Sequence, residues 1–183
     1  ALVLFGGDAA AGGEVLARGS DALGVAGPEH TVAALADDDW VRKTHEQFQP
    51  VCITPRLWIV PSWSEPVDAA AVNLRLDPGL AFGTGTHPTT RLCLRWLAAA
   101  LAGGETVLDY GCGSGILAIA AAKLGAASVT GTDVDPQSIT ASRNNANLNA
   151  VAARFDLPGA IEIGPYAIVV AHIPANTLTP LAP

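Results

Sequence analysis

A glycine-rich turn between a predicted strand and a predicted helix most constrains how this chain can fold. The run Thr106–Tyr110 has the composition of a strand, and Gly-Cys-Gly-Ser-Gly at 111–115 separates it from an alanine-rich helical pattern. Strand and helix patterns then alternate through residues 81–183, which is typical of a parallel sheet with crossover helices. Glycines let the main chain turn sharply and let a ligand lie against it. We therefore expect an α/β fold with a ligand site at this turn.

Apolar periodicity places the other elements. Helical patterns with capping or stop signals predict helices over 9–23, 37–50, 88–102, 114–124 and from Pro136 onward. Apolar runs and period-2 alternation predict strands over 2–5, 30–35, 57–60, 72–76, 106–110, 128–133, 154–157 and 167–173. In the helix over 88–102, Leu92, Trp96 and Ala100 fall on one face. The chain thus divides into residues 1–36, 37–80 and 81–183.

The spacing of the glycines narrows the class of ligand. Gly111-x-Gly113-x-Gly115 is not the G-x-G-x-x-G spacing of dinucleotide binders, and no Lys-Ser/Thr pair follows it as in a P-loop. Asp109 lies just before the turn, where it would repel a pyrophosphate. A ligand that carries an ammonium and a sulfonium tolerates such an acid. The turn therefore favours S-adenosylmethionine as its ligand over NAD or ATP. A glycine-rich turn without any ligand is the less favoured interpretation.

A second acid supports an adenosine-type ligand. Asp133 ends the next predicted strand, where an acid in a doubly wound sheet accepts hydrogen bonds from ribose hydroxyls. Asp135 precedes Pro136, so we assign it to capping the following helix.

The loop before the helix at 88–102 is crowded with polar groups. Residues 79–90 read Gly-Leu-Ala-Phe-Gly-Thr-Gly-Thr-His-Pro-Thr-Thr. Free N–H groups at the start of the helix could hold a carboxylate such as the methionine end of the cofactor. The alternative is an ordinary capped loop. His87 is the candidate general base nearest the site, although capping or packing explains it as well.

Composition excludes several classes of protein. Half of the residues are apolar, 15% are charged and the mean hydropathy is +0.34, which allows a sizeable core and excludes disorder. No apolar run reaches the roughly 18 residues of a transmembrane helix. The net charge of −7 disfavours a nonspecific nucleic-acid binder. Residues 1–40 hold seven acids and one base, which indicates either a basic partner or a solvated acidic surface.

The cysteines favour a reducing environment. Cys52, Cys93 and Cys112 are odd in number and no pair has Cys-x-x-Cys spacing, so neither a disulfide framework nor a metal site is expected. No signal peptide is visible, and we expect a cytoplasmic protein without a membrane segment. Cys112, inside the glycine turn, is interpreted as a small packing residue.

Several segments together resemble one family. The loop at 79–90, the run Val-Leu-Asp-Tyr-Gly-Cys-Gly-Ser-Gly-Ile-Leu-Ala-Ile-Ala-Ala at 107–121, and Arg-Leu-Trp-Ile-Val-Pro-Ser-Trp at 56–63 resemble the ribosomal protein L-eleven methyltransferase (PrmA) family. The resemblance implies a Rossmann-like class I methyltransferase sheet of seven strands, preceded by a small ferredoxin-like α+β domain that recognises the substrate. It also implies S-adenosylmethionine-dependent methylation of amino groups, the α-amine and lysines, of a large-subunit ribosomal protein. No direct nucleic-acid contact, membrane contact or obligate oligomer of the full-length protein is expected.

Cofactor contacts follow from the resemblance and from the turn. By motif position the family implies Thr90, Gly111 and Asp133, and the glycine turn adds Asp109 and Gly113. No catalytic residue is assigned.

One position departs from the family pattern. In Ala171-His172-Ile173-Pro174, His172 stands where the family has Asn. A neutral histidine offers one donor and one acceptor, so His172 either contacts the cofactor or is a non-functional substitution.

The chain has the pattern of a fragment of that family at both ends. Residues 1–36 then form part of a recognition domain, residues 37–80 a linker helix with pre-catalytic strands, and residues 81–183 a methyltransferase domain that stops after its fourth strand. Two alternatives remain open: a related protein-lysine methyltransferase with another substrate, and a non-catalytic cofactor-binding relative.

Overall fold

The computed structural model describes residues 9–25, 48–77, 87–161 and 164–173. The chain divides into two compact units, Ala1–Gln47 and Phe48–Pro183. The predicted strands at 2–5 and 30–35, and most of the helix predicted before Pro50, lie outside the described residues. Within those residues, no helix has both the length and the apolar character needed to cross a membrane.

The described part of the first unit is helix α1, Ala9–Leu23, at the predicted position. It ends where Gly24 takes a left-handed φ of +64°, a conformation that glycine adopts without steric cost. Two backbone bonds close this end, from Gly24 N to Asp21 O and from Val25 N to Ser20 O, each 3.2 Å long.

The second unit begins with a small mixed sheet of three strands, β1 (Val51–Thr54), β2 (Leu57–Val60) and β3 (Val72–Arg75). Strands β1 and β2 are antiparallel, whereas β2 and β3 are parallel. Sequence patterning predicted β2 and β3 but missed β1. The missed strand, Val-Cys-Ile-Thr, lies between Pro50 and Pro55, and its cysteine and threonine left only two strongly apolar residues as a signal.

The main sheet of the second unit is parallel and has the order β6-β5-β4-β7. Its strands are β4 (Thr106–Tyr110), β5 (Ser128–Thr132), β6 (Arg154–Asp156) and β7 (Ile168–Ala171). Its helices are α2 (Pro88–Ala100), α3 (Ile116–Lys123) and α4 (Pro136–Leu148), and a short 3-10 helix covers Pro158–Ala160. The predicted elements are therefore present, each within two residues of its expected bounds where both ends were predicted.

Helix α3 lies at the centre of this unit. It packs against β3, β4, β5, α2 and α4, and its residues from Ile116 to Ala121 are all buried. Alanines allow this close approach because they have no side chain beyond Cβ to accommodate. The helix is therefore apolar on every side, as expected for an element surrounded by neighbours.

Helix α2 buries a different face from the one suggested by its apolar spacing. Leu92 is 62% exposed and Trp96 is 54% exposed, whereas Thr90, Leu94 and Leu97 are buried. The buried face is the one that packs against β1 and α3. Because the first of these three buried residues is a threonine, a search for apolar residues did not identify this face of the helix.

A buried amide joins the two sheets. Asn149, just after α4, accepts a hydrogen bond from Arg75 N (2.8 Å) and donates to Arg75 O (2.6 Å). It thereby satisfies both backbone groups of a β3 residue, as a neighbouring strand would. The contact fixes β3 to the helix that follows β5.

Candidate ligand-binding site

Three loops meet at the carboxyl edge of the main sheet. Strand β4 pairs with β5 on one side and with β7 on the other, so its carboxyl end lies between theirs. Asp133 directly follows β5, and His172 directly follows β7. The glycine turn after β4 therefore separates them, in the crevice where open α/β sheets bind ligands.

The turn requires its glycines. Gly111, Gly113 and Gly115 have φ values of +77°, +52° and +78°. A Cβ on Gly111 would clash with the side chain of Ile173, and one on Gly115 would lie 2.8 Å from Ser142 Cβ. The turn is thus compact, with no room for a Cβ at Gly111 or Gly115, and Gly111 and Gly113 line the crevice.

Asp109 lies beneath the turn and supports it. Its Oδ2 accepts a hydrogen bond from Ala118 N (3.1 Å) in the first turn of α3. Because the N-cap of α3 is Gly115, which has no side chain, the carboxylate of Asp109 replaces the usual capping group. Asp109 is 1% exposed, and burial raises its pKa to about 7, reinforced by the charge of Asp133 and partly offset by the bond from Ala118.

Asp133 joins the β5 loop to the glycine turn. Its Oδ2 accepts from Gly113 N (2.9 Å), and its Oδ1 accepts from Asp135 N (3.0 Å). Each carboxylate oxygen has a further lone pair for a ligand hydroxyl. Asp135 caps α4 through Gln137 N (2.9 Å), with Pro136 in the first turn. The predicted capping role of Asp135 is therefore confirmed.

The crevice holds a cavity of about 440 Å³, within the range of small-molecule sites. Its wall is mostly apolar, with polar groups from Asp133, Thr132, Ser138 and His172. Thr132 is buried, and its Oγ1 has no hydrogen-bond partner among the described residues. An unsatisfied hydroxyl in a cavity wall is a group that a ligand can satisfy.

The structure brings some of the predicted contacts together and leaves others apart. Gly111, Gly113, Asp133 and His172 all line the cavity. Asp109 and Thr90 are both buried outside its lining, and Thr90 Oγ1 has no partner within the described part of the chain. Direct cofactor contact by these two residues stays a prediction.

Two further predicted residues have clear structural roles. His87 is the N-cap of α2, where its ring accepts a hydrogen bond from Thr89 N. Cys112 is buried at the cavity wall, and burial raises the pKa of its thiol, so it remains a neutral packing group. In the residues that the structure describes, no cluster of three or more His, Cys, Asp and Glu side chains could hold a metal ion.

Sequence reasoning missed Asn145 and Thr132, and it placed Thr89 among the polar groups of the loop without predicting its contact with His172. Asn145 donates from Nδ2 to Ser114 O (2.8 Å), which ties the glycine turn to α4. Thr89 Oγ1 lies 2.6 Å from His87 Nδ1 and 2.6 Å from His172 Nε2, and thus links the start of α2 to the segment after β7. Thr132 precedes Asp133 directly, so its place at the carboxyl end of β5 was the only signal for it.

The fold and crevice define a Rossmann-like α/β unit of the class I methyltransferase type. The ribosomal protein L11 methylase structure from Lactobacillus delbrueckii subsp. bulgaricus supports this class, with a TM-score of 0.66 and 41% identity over 73% of this chain and 71% of that one.

The family model "Ribosomal protein L11 methyltransferase (PrmA)" matches residues 4–183, so the chain belongs to that family. Curated relatives named ribosomal protein L11 methyltransferase share 60% identity in Thiobacillus denitrificans and 57% in Laribacter hongkongensis. The matches cover 100% and 97% of this chain but only 62% and 60% of those relatives. The chain therefore spans about three fifths of their length.

Proposed function

We propose that the protein to which this chain belongs is an S-adenosylmethionine-dependent N-methyltransferase that modifies amino groups, the α-amine and lysines, of a large-subunit ribosomal protein. The observation that carries the proposal is a crevice that combines a bare glycine turn with Asp133, in a member of this family. Relatives named for methylation of a ribosomal protein support the substrate class. A cytoplasmic location accords with such a substrate.

The residues present fit S-adenosylmethionine. The glycine turn offers the main chain of Gly111 and Gly113, which line the cavity. Thr132 Oγ1, which has no partner among the described residues, offers a donor and an acceptor. Asp133 lies at one side of the turn with lone pairs for two ribose hydroxyls. The turn has acidic groups beside it and beneath it, which suits a cationic ligand better than a pyrophosphate.

The order of the strands gives the orientation of the cofactor in this proposal. If the ribose lies at Asp133, beside β5, the methionine end extends across Gly111 toward the β7 side, where His172 lies. The bound cofactor supplies an activated methyl group, so the protein has only to orient an amine toward it and exclude water. Gly111, Ile173 and Tyr110 form the part of the wall beside that end.

The buried acid contributes indirectly. Asp109 holds the first turn of α3 through Ala118 N and thereby fixes the turn that carries the cofactor. This supporting role needs no direct contact with the ligand. Thr90 remains a proposed contact, because it is buried one helical turn before Leu94 and its Oγ1 has no partner among the described residues.

Mass spectrometry of the purified ribosomal protein tests the proposal. The ribosomal protein is incubated with the protein to which this chain belongs and with S-adenosylmethionine that carries a deuterated methyl group. We expect labelled methyl groups on the α-amine and on lysines, and none in a reaction without that enzyme.

Other outcomes identify the alternatives. Labelling of a different protein in the same extract would indicate a related methyltransferase with another substrate. Binding of the cofactor without any transfer would indicate a non-catalytic binder.

A further inference from the structure

Asp109 is a buried acid whose negative charge nothing in the described part of the protein balances. It is 1% exposed, and its Oδ2 accepts the hydrogen bond from Ala118 N (3.1 Å). Its Oδ1 is buried without a hydrogen-bond partner, and no lysine, arginine or histidine among the described residues pairs with it. A buried carboxylate without a cation is costly, so the burial of this side chain favours the protonated acid.

The ionisable groups closest to Asp109 do not supply the missing positive charge. Burial raises the pKa of Asp109 to about 7, the bond from Ala118 N lowers it in part, and the charge of Asp133 raises it further. Cys93 on α2 and Cys112 in the turn are neutral, because burial and the charge of Asp109 raise the pKa of each thiol. The neighbours from α2, from the turn and from the β5 loop are therefore neutral or negative.

The elements on the other sides of Asp109 add no cation close to it. Strand β7, Ile168–Ala171, has no ionisable side chain. Lys123 is the last residue of α3, at the end of the helix remote from the glycine turn. Burial and His87 lower the pKa of His172, which follows β7, so this ring is neutral near pH 7. Among the described residues, the compensating charge is missing, and a ligand can supply it.

The cavity lies within electrostatic reach of Asp109. Gly111 and Gly113, which line the cavity, follow the end of the strand that carries Asp109. Asp133 lines the cavity as well, and its negative charge acts on Asp109. A positive charge bound at the turn therefore acts on Asp109 in the opposite sense and stabilises its ionised form.

We propose that Asp109 is a specificity-determining residue, which ionises when a sulfonium binds at the turn, so that the crevice distinguishes the methyl donor from its uncharged product. The proposal rests on the proposed function for the identity of the ligand. The cofactor orientation given under that heading places the sulfur between Asp133 and the β7 side, at the carboxyl end of β4. The role of Asp109 requires no direct contact with the ligand.

The charge on sulfur is what Asp109 responds to. S-adenosylmethionine and S-adenosylhomocysteine differ by one methyl group and by one positive charge. Asp109 releases its proton to the solvent when the donor binds, and takes a proton up again when methyl transfer leaves a neutral thioether. The product thus lacks an attraction that holds the donor, which favours product release.

Isothermal titration calorimetry at pH 7 counts the protons released on binding, when it is run in two buffers of different ionisation enthalpy, phosphate and imidazole. The full-length protein to which this chain belongs is used. S-adenosylmethionine should release up to about half a proton through Asp109, because half of this group is protonated at a pH equal to its pKa. S-adenosylhomocysteine should release none through it. Sinefungin, which has an ammonium group in place of the sulfonium, should behave as the donor does.

Asp109→Asn is the matched variant, because it keeps an oxygen for Ala118 N and cannot ionise. Subtraction of its proton release from that of the parent removes the titration of the ligand's own amine. In the parent, the affinity for S-adenosylmethionine relative to S-adenosylhomocysteine should rise about five- to tenfold more between pH 6 and pH 8 than in the variant.

Carbon-13 nuclear magnetic resonance of the aspartate carboxyl groups tests the same role in the parent, even if the variant does not fold. Asp109 is recognised by its titration near pH 7, far above that of an exposed aspartate. Its pKa should be lower in the complex with S-adenosylmethionine than in the complex with S-adenosylhomocysteine.

The outcomes separate this role from the proposed function. If both ligands bind with equal proton release, or if the pKa of Asp109 is the same in both complexes, the role of Asp109 is wrong and the proposed function stands. If Asp109 responds as expected but the ribosomal protein is not methylated, the proposed function fails and the role of Asp109 stands. If neither ligand binds, both are wrong.

Discussion

At the scale of single residues, Asp109 and Asp133 have different roles in the crevice. Asp133 is partly exposed, lines the cavity and holds the turn through Gly113 N. Asp109 is buried and replaces the missing cap of α3. The two carboxylates also interact electrostatically, and the charge of Asp133 contributes to the raised pKa of Asp109.

The raised pKa of Asp109 predicts a specific dependence of stability on pH. Its pKa is about 7 in the folded protein against an ordinary value of 3.8, so the folded state holds a proton that the unfolded state releases between these values. The contribution of Asp109 to stability is therefore fully present below about pH 4 and is lost as the pH rises through about 7.

Asp109→Asn removes that titration and keeps an acceptor oxygen for Ala118 N. Between pH 5 and 7, the free energy of unfolding of the parent should fall relative to the variant by roughly 1 kcal/mol per pH unit. Urea unfolding at several pH values measures the difference. Parallel curves for the two proteins would show that Asp109 does not titrate in this range.

At the scale of elements, the glycine turn depends on the close approach of the segment after β7. Gly111 combines a positive φ with the contact to Ile173, whereas Gly104 has a φ of +92° and open space within 4 Å of the point where a Cβ would lie. The two glycines thus differ in crowding, although any other residue at either position would have to adopt a positive φ.

That pair supplies a matched test of the crowding at the turn. Gly104→Ala should cost about 1–2 kcal/mol of stability, from backbone strain alone. Gly111→Ala should cost more, because its Cβ must also displace Ile173, and it should weaken cofactor binding as well. Urea unfolding and calorimetry measure the two effects. Equal losses of stability in both variants would mean that Ile173 does not approach Gly111 closely.

Strand β7 forms an edge of the main sheet among the described residues. It pairs with β4 on one side, and Val169 is 58% exposed. An apolar edge strand tends to pair with other chains. We therefore expect the 183-residue chain to self-associate and Val169→Lys to reduce that association, as measured by sedimentation velocity. A parent chain that stays a cooperatively folding monomer at micromolar concentration contradicts this.

The sequence predicted elements with strong local patterns and the polar groups at strand ends. The strand-turn-helix around Gly111, the cap at Asp135 and the parallel sheet all follow from local residue types or from the family resemblance. The bridge from Thr89 to His172 and the amide of Asn149 on β3 depend on the tertiary approach of distant segments. No local period encodes such contacts, so reasoning from single-sequence patterns could not find them.

At the scale of the whole molecule, charge is concentrated at one end of the chain. Residues 1–40 carry six of the seven net negative charges. The proposed substrate is a ribosomal protein, and proteins of that kind that bind RNA are generally basic. The acidic segment is therefore a candidate for substrate recognition.

Deletion of residues 1–40 tests that role. The deletion should leave S-adenosylmethionine binding unchanged and slow methylation of the intact ribosomal protein, more so at low salt, where charges are least screened. Methylation rates at two ionic strengths measure the effect. A truncated protein that methylates as fast as the parent would show that the acidic segment is only a solvated surface.

The crevice between the β5 and β7 loops is central to the proposed activity, because it would bind the S-adenosyl cofactor with Asp133 on the ribose. Isothermal titration calorimetry with S-adenosylhomocysteine tests this most directly, on the parent, on Asp133→Ala and on Asp135→Ala. Asp135 is the matched control, because it caps α4 and lies outside the cavity lining. We predict that Asp133→Ala weakens binding by about 1.5–3 kcal/mol, the range for hydrogen bonds to a charged group, and that Asp135→Ala leaves the affinity unchanged. Unchanged affinity in a folded Asp133→Ala protein, or an equal loss in both variants, would contradict the assignment of Asp133 to the ribose.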